Sequence, residues 1–119
     1  MIILLNDYLK EKDENSVLTI KEQMIQLYQQ LTSCPSISNE EFLNIIKNKI
    51  IFIDIDEIQN IRGTITIILE RKVFRNGLSV AHIEDLVVDS LYRKQNIGKH
   101  LLQHVINYAK EKNCYKAIL

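Results

Sequence analysis

His82-Ile83-Glu84-Asp85-Leu86-Val87-Val88-Asp89-Ser90-Leu91-Tyr92-Arg93-Lys94-Gln95-Asn96-Ile97-Gly98-Lys99-His100-Leu101-Leu102 reads as a strand, a short basic loop and the first turns of a helix. Ile83, Leu86, Val87 and Val88 form a β-rich apolar run that Asp89 and Ser90 end. From Ile97 the apolar residues fall at Leu101, Leu102, Val105 and Ile106, which is helical spacing. A loop feeding a helix N-terminus presents free backbone N–H groups, and the helix dipole adds positive charge there. Such a site suits a phosphate or pyrophosphate, and Arg93, Lys94 and Lys99 set cations beside it. The blander reading of the same residues is a basic helix start with no ligand.

Outward from this stretch, the chain alternates strands and helices. Ile2–Leu5 reads as a short strand and Lys10–Asn15 as a charged loop. Val17, Ile20, Met24, Ile25, Leu27, Tyr28 and Leu31 form the stripe of an amphipathic helix ending near Thr32, ahead of Pro35. Ser38-Asn39-Glu40-Glu41 is a capping box that opens a helix to about Lys47. Ile50–Asp56 alternates as a strand, Glu57–Asn60 is a polar turn, and Ile61–Lys72 is a further strand. Phe74–Ser79 is a loop carrying the turn pair Asn76-Gly77. The helix after the basic loop runs to about Lys112 with Asn113 as its cap, and Tyr115–Leu119 begins another strand. A helix joining two strands implies that they are parallel neighbours, so the class is α/β with a mixed sheet.

Composition narrows the function. The 119 residues make one domain, with 46% apolar and 25% charged residues. Fifteen basic residues balance fifteen acidic ones, which argues against general nucleic-acid binding. No apolar run approaches the ~20 residues of a membrane span. Met1–Leu5 is too short for a signal peptide. Cys34 and Cys114 make no disulfide framework, so the expected compartment is the cytoplasm. Neither has a sequence signature for activation as a nucleophile. His100 and His104 lie four apart on one helix face, but no third ligand accompanies them, so no metal is expected.

The loop is neither a P-loop nor a dinucleotide fingerprint. Arg93-x-x-Asn96-x-Gly98 approximates the R-x-x-G-x-G/A loop of acyl-CoA N-acyltransferases. The flanks strengthen this. Ile68-Leu69-Glu70-Arg71-Lys72, His82 through Val88, Tyr92-Arg93 through Leu102, and Asn113-Cys114-Tyr115-Lys116 together resemble the GNAT acetyltransferase superfamily. Within it they are most similar to the glucosamine-6-phosphate N-acetyltransferase family, with Leu31-Thr32 as a weaker match. The resemblance spans roughly Val17 to Leu119. It implies the GNAT fold, a mixed central β-sheet flanked by helices. Two departures stand out. Lys94 and Asn96 replace glycines often found there, although asparagine tolerates the left-handed conformation. The family also continues past this last strand into an acidic residue, an Asn-x-x-Phe-Tyr segment and a final strand, so the resemblance implies a C-terminally truncated domain.

The resemblance implies acetyl transfer from acetyl-CoA to the amine of a small-molecule amino sugar, with a homodimer as the assembly. Leu86, Val87, Val88, Arg93, Lys94, Gln95, Asn96, Ile97, Gly98 and Lys99 are then the cofactor-binding residues. Thr32, Lys72, Val73, Phe74, Arg75, Glu84, Asp85, Leu86, Tyr115 and Lys116 are the substrate-binding ones, Tyr115 and Lys116 reaching the partner subunit's substrate. Arg75 and Lys116 are candidate phosphate-binding cations. The residues agree with such chemistry. Amine attack on a thioester builds an oxyanion that a backbone N–H stabilises. A bulged or splayed central strand frees such groups near Leu86–Val88. Glu84 and Asp85 are the candidate proton acceptors, expected on opposite faces of the strand. Glu84, Asp85 and Leu86 are thus the catalytic candidates. Each has a plainer reading, as strand-edge charges for the carboxylates, solvated loop cations for Lys72 and Arg75, and core for Tyr115. Competing functions are another GNAT member acting on a protein N-terminus or a different amine, and a non-catalytic CoA-binding or dimerising module.

Overall fold

The computed structural model describes residues 1–119. Its elements in order are β1 (Ile2–Leu4), α1 (Leu5–Leu9), α2 (Glu14–Tyr28), α3 (Asn39–Ile46), β2 (Ile50–Ile55), β3 (Ile61–Arg71), β4 (Ser79–Val88), α4 (Ile97–Glu111) and β5 (Cys114–Ile118). Two short 3-10 turns, Arg75–Gly77 and Ser90–Tyr92, flank β4. The five strands lie side by side in chain order. The first three pairings are antiparallel, and β4 pairs β5 in parallel across the α4 crossover. The mixed α/β sheet expected from the sequence is therefore present.

Local signals explain most boundaries. Ser38 Oγ accepts from the Glu41 N–H at 3.1 Å, so the capping box starts α3. Asp56 Oδ1 accepts from the N–H groups of Ile58 and Asn60, which closes the turn between β2 and β3. Asn96 (φ 63°) and Asn113 (φ 59°) take the left-handed conformation at the two ends of α4. The loop therefore tolerates asparagine where glycine was expected.

Other boundaries moved. Leu5 begins a helix rather than ending a strand. The loop assigned to Lys10–Asn15 stops at Asp13, whose Oδ1 accepts from the Ser16 N–H at 2.8 Å and starts α2 three residues before its first apolar stripe position. The helix expected to reach Thr32 ends at Tyr28, whose carbonyl collects the N–H groups of both Leu31 and Thr32 in a closing turn. Ser79 belongs to β4 rather than to the loop before it.

Each sheet face carries its own core. On one, Ile20, Met24 and Leu27 of α2 and Phe42 and Ile46 of α3 cover Ile51, Ile53 and Ile55. On the other, Ile97, Leu101, Val105 and Ala109 of α4 cover Phe52, Ile65, Ile67, Ala81 and Ile83. Leu101 and Val105 are wholly buried, and each such side chain contributes about 1.5–3 kcal/mol. Leu101→Ala would cost about 2–5 kcal/mol and loosen the helix that carries the basic loop. His104 packs edge-on against Phe52, with ring centroids 4.7 Å apart. Gly63 leaves room for this close packing. A Cβ there would lie 3.1 Å from Leu101 Cδ1 and from the Val87 carbonyl.

Candidate active site

The site is built around an irregularity in β4. Thr66 pairs with Glu84 and Thr64 with Val87, so Ile65 alone opposes Asp85 and Leu86. Asp85 absorbs the extra residue with φ 53°. The phase of the strand flips as a result. Ile83 packs under α4 whereas Val87 packs under α2, although regular alternation would place both on one face. This overturns the expectation that Glu84 and Asp85 face opposite ways. Both are exposed and line one cavity of about 380 Å³, with Thr32, Tyr28, Cys34 and Thr66. Apolar residues of α2 and α3 make up most of its wall.

β4 also splays. β5 pairs with Ser79 to His82 only, so the stretch from Ile83 to Val88 has no strand on that side. The bulge and the splay together leave main-chain groups near Leu86–Val88 without ladder partners, as the sequence suggested. Val87 itself is buried and Val88 packs against the core, so what they offer a ligand is backbone. Leu86 is about one-third exposed, at 37%, and lines neither cavity described here.

Beyond β4, Asp89 caps the 3-10 turn by accepting from the Leu91 N–H at 3.0 Å. Lys94 (φ 67°) and Asn96 then reverse the chain into α4. Asn96 makes no side-chain cap bond, so the first N–H groups of α4 stay open. Arg93, Lys94, Gln95, Asn96 and Lys99 are exposed around that opening. Ile97 is an anchor and not a contact, since its side chain is buried under the sheet. Gly98 has an ordinary φ, and a Cβ there would meet only Val88, at 3.4 Å. The fold does not demand glycine at 98, which fits a position kept small for an approaching ligand. Open N–H groups, a small residue and three cations suit a pyrophosphate.

A second cavity of about 520 Å³ lies on the same sheet face as the first, towards the start of β4. It brings together Lys72, Phe74, Arg75, Tyr115 and Lys116, five of the residues expected at the substrate, with Glu70 and His82. Val73 is fully exposed and lies outside it. Glu70 accepts from Lys72 Nζ at 3.0 Å and lies 3.0 Å from His82 Nε2. His82 and, after it, Lys72 hold the Glu70 carboxyl below its ordinary pKa. Lys72 Nζ also sits over the Phe74 ring, and the Arg75 guanidinium over Tyr115, at 5.8 and 5.0 Å from the centroids.

Tyr28, Thr66, Glu70 and His82 were not singled out from sequence. Glu70 and Lys72, and Val80, His82 and Glu84, fall on one sheet face by simple alternation, and that was the available signal. Tyr28 looked like one more apolar stripe position. Burial, and next the Asp85 charge, push its phenol above the ordinary value, while the Thr64 and Thr66 hydroxyls oppose this.

Known proteins agree with this geometry. The sequence model of the Acetyltransferase (GNAT) family matches residues 10–119. The glucosamine 6-phosphate N-acetyltransferase of Arabidopsis thaliana is 32% identical over 107 residues, covering 83% of this chain and 72% of that one. Its crystal structure covers the whole chain with a TM-score of 0.79. A probable glucosamine 6-phosphate N-acetyltransferase 2 of Oryza sativa subsp. japonica is 31% identical over 105 residues, which are 80% of this chain and 63% of the rice protein. An acetyltransferase of Trypanosoma brucei superposes over 100% of this chain and 80% of its own, with 28% identity and a TM-score of 0.84. With the bulged and splayed strand, the basic loop and the helix behind it in their expected places, the chain belongs to the GNAT acetyltransferase family.

Proposed function

We propose that the chain transfers an acetyl group from acetyl-CoA to the 2-amino group of glucosamine 6-phosphate. The observation that carries this reading is the pair of cavities of opposite charge on one face of β4. One offers Glu84 and Asp85, and the other Lys72, Arg75 and Lys116. Along a strand, His82 and Glu84 are about 7 Å apart, the reach of one hexose ring. An acceptor with an ammonium at one end and a phosphate at the other fits that spacing. The names of the Arabidopsis and rice relatives support the same acceptor.

The donor is an acetyl thioester, activated for attack by an amine. Arg93, Lys94, Lys99 and the open N–H groups at the start of α4 hold its pyrophosphate. Gln95, Asn96, Ile97 and Gly98 contribute backbone there, and the free β4 edge at Leu86–Val88 pairs with the pantetheine arm. A backbone N–H of that edge donates to the thioester oxygen as negative charge builds on it. The acceptor enters as an ammonium and loses a proton to the Glu84–Asp85 pair before attack. The C–N bond forms, the C–S bond breaks, and the second proton that the nitrogen then sheds passes to the sulfur, so that CoA departs as a thiol. Thr32 closes the sugar site from the turn that follows α2. Tyr115 and Lys116 lie on β5, the open edge of the sheet, which supports a homodimer with sites completed across it. Two unpaired cysteines are consistent with the cytoplasm, and no helix is long and apolar enough to cross a membrane.

The test is the rate of thiol release from acetyl-CoA with glucosamine 6-phosphate, glucosamine, glucose 6-phosphate and a peptide with a free N-terminus. Turnover with the first and far weaker turnover with the other three is expected. Equal efficiency with glucosamine or the peptide would sink the assignment. Light scattering across micromolar concentrations tests the dimer, and a strictly monomeric species would count against it.

A further inference from the structure

We infer that Arg71 is a positioning residue for the cationic cavity, holding the turn that aims Arg75 at Tyr115. Arg71 lies between Glu70 and Lys72, both of which line that cavity, so alternation sends its own side chain elsewhere. Its Nε donates to the Gly77 carbonyl at 2.9 Å. A Cβ built on Gly77 would lie 3.1 Å from Arg71 Nη2 and 3.3 Å from its Nε, so the guanidinium occupies the space a side chain would take.

The turn beneath it is strained. Arg75, Asn76 and Gly77 have φ of 54°, 58° and 74°, three left-handed residues in succession. Asparagine and glycine tolerate this conformation, whereas arginine adopts it only at a cost. Main-chain bonds from Gly77 N to Phe74 O, from Leu78 N to Arg75 O and from Lys72 N to Leu78 O close the turn. The Gly77 carbonyl is held separately, by Arg71. What the strain secures is the direction of Arg75, whose guanidinium lies over Tyr115 beside Lys116. Without Arg71, Arg75 is free to return to negative φ and swing out of the cavity.

The kinetic arm of the test rests on the phosphorylated acceptor proposed above, and the spectroscopic arm does not. The arginine Nε–H resonance of Arg75, identified by its loss in Arg75→Lys, is expected to be shifted by the Tyr115 ring current and to lose that shift in Arg71→Ala. KM for glucosamine 6-phosphate is expected to rise about tenfold, the equivalent of one hydrogen bond. The kcat, the KM for acetyl-CoA and the KM for unphosphorylated glucosamine should stay as in the parent. Arg71→Lys, which keeps a donor for the Gly77 carbonyl, should restore KM in part where Arg71→Ala does not. Gly77→Ala, which drives a methyl group into the guanidinium, should reproduce the effect from the other side. An Arg75 resonance unmoved in Arg71→Ala overturns the inference. So does an equal loss with both acceptors. A parent enzyme indifferent to the phosphate overturns the acceptor assignment instead, and the resonance alone then decides the role of Arg71.

Discussion

From Ser79 to His82, β4 is paired on both sides, and the adjoining cavity is lined by charged side chains of the ladder, Glu70, His82 and Lys116, and of the turn after β3, Lys72 and Arg75. From Glu84 to Val88 it is paired on one side only and bulged, and the cavity there has mostly apolar walls with two carboxylates at its edge. The contrast separates two kinds of work on one strand. Two-sided pairing anchors Lys116 and both ends of the turn that carries Lys72 and Arg75, which suits recognition of a fixed anion. Broken pairing releases main-chain donors, which suits an oxyanion that exists only during reaction.

The largest effect is expected where broken pairing and carboxylates meet. The double variant Glu84→Gln/Asp85→Asn should lower kcat by about 10²–10⁴ and leave KM for acetyl-CoA unchanged, as initial rates will report. A parent-like kcat would remove both residues from proton transfer. Gly98→Asp leaves both cavities intact and puts a carboxylate against the pyrophosphate. Acetyl-CoA at about 100 times its Kd stabilises a protein by about 2.7 kcal/mol, a rise of several degrees in Tm, and the variant should show none of it. A full shift in that variant would move the donor site elsewhere. At the cationic end, Arg75→Ala should raise KM for glucosamine 6-phosphate by about 10–100-fold with kcat retained. A fall in kcat with KM unchanged would merge the two cavities into one functional unit.

The smallest effect concerns Glu70. Its pKa is lowered by His82 and Lys72, so it contributes stability that is present above its ordinary value of 4.5 and lost as pH falls through the lower folded value. Glu70→Gln should therefore flatten the acid limb of Tm against pH below about 4.5 while changing little at neutral pH. An acid limb as steep as the parent's would mean that the carboxylate is not held in solution.

The crossover unit was the most legible part of the chain. Helical spacing from Ile97, the left-handed asparagines at 96 and 113 and the β-rich run before them all point to one arrangement. The bulge was legible only as a possibility, because nothing in Glu84-Asp85-Leu86 announces an extra residue. One residue flipped the faces of everything after it, which is why the carboxylates were expected apart and lie together. Leu5–Leu9 was missed because its apolar residues continue those of β1 without a cap. Tyr28 was missed because an apolar stripe does not reveal which of its members ends at a cavity rather than in the core.

The strands sit in the sheet in the order in which they leave the ribosome. From β2 to β4 each strand finds its neighbour next along the chain, and such nearby contacts close loops at low entropic cost and favour fast folding. The pairing of β4 with β5 differs, because it waits for residues 89–113 to form α4 and cross over. A chain caught before that step holds the bulge and its carboxylates but lacks Tyr115 and Lys116 beside Arg75. The carboxylate-edged cavity is thus complete without β5, whereas the cationic one exists only where the crossover has delivered that strand, so a loosened β5 abolishes one cavity and spares the other.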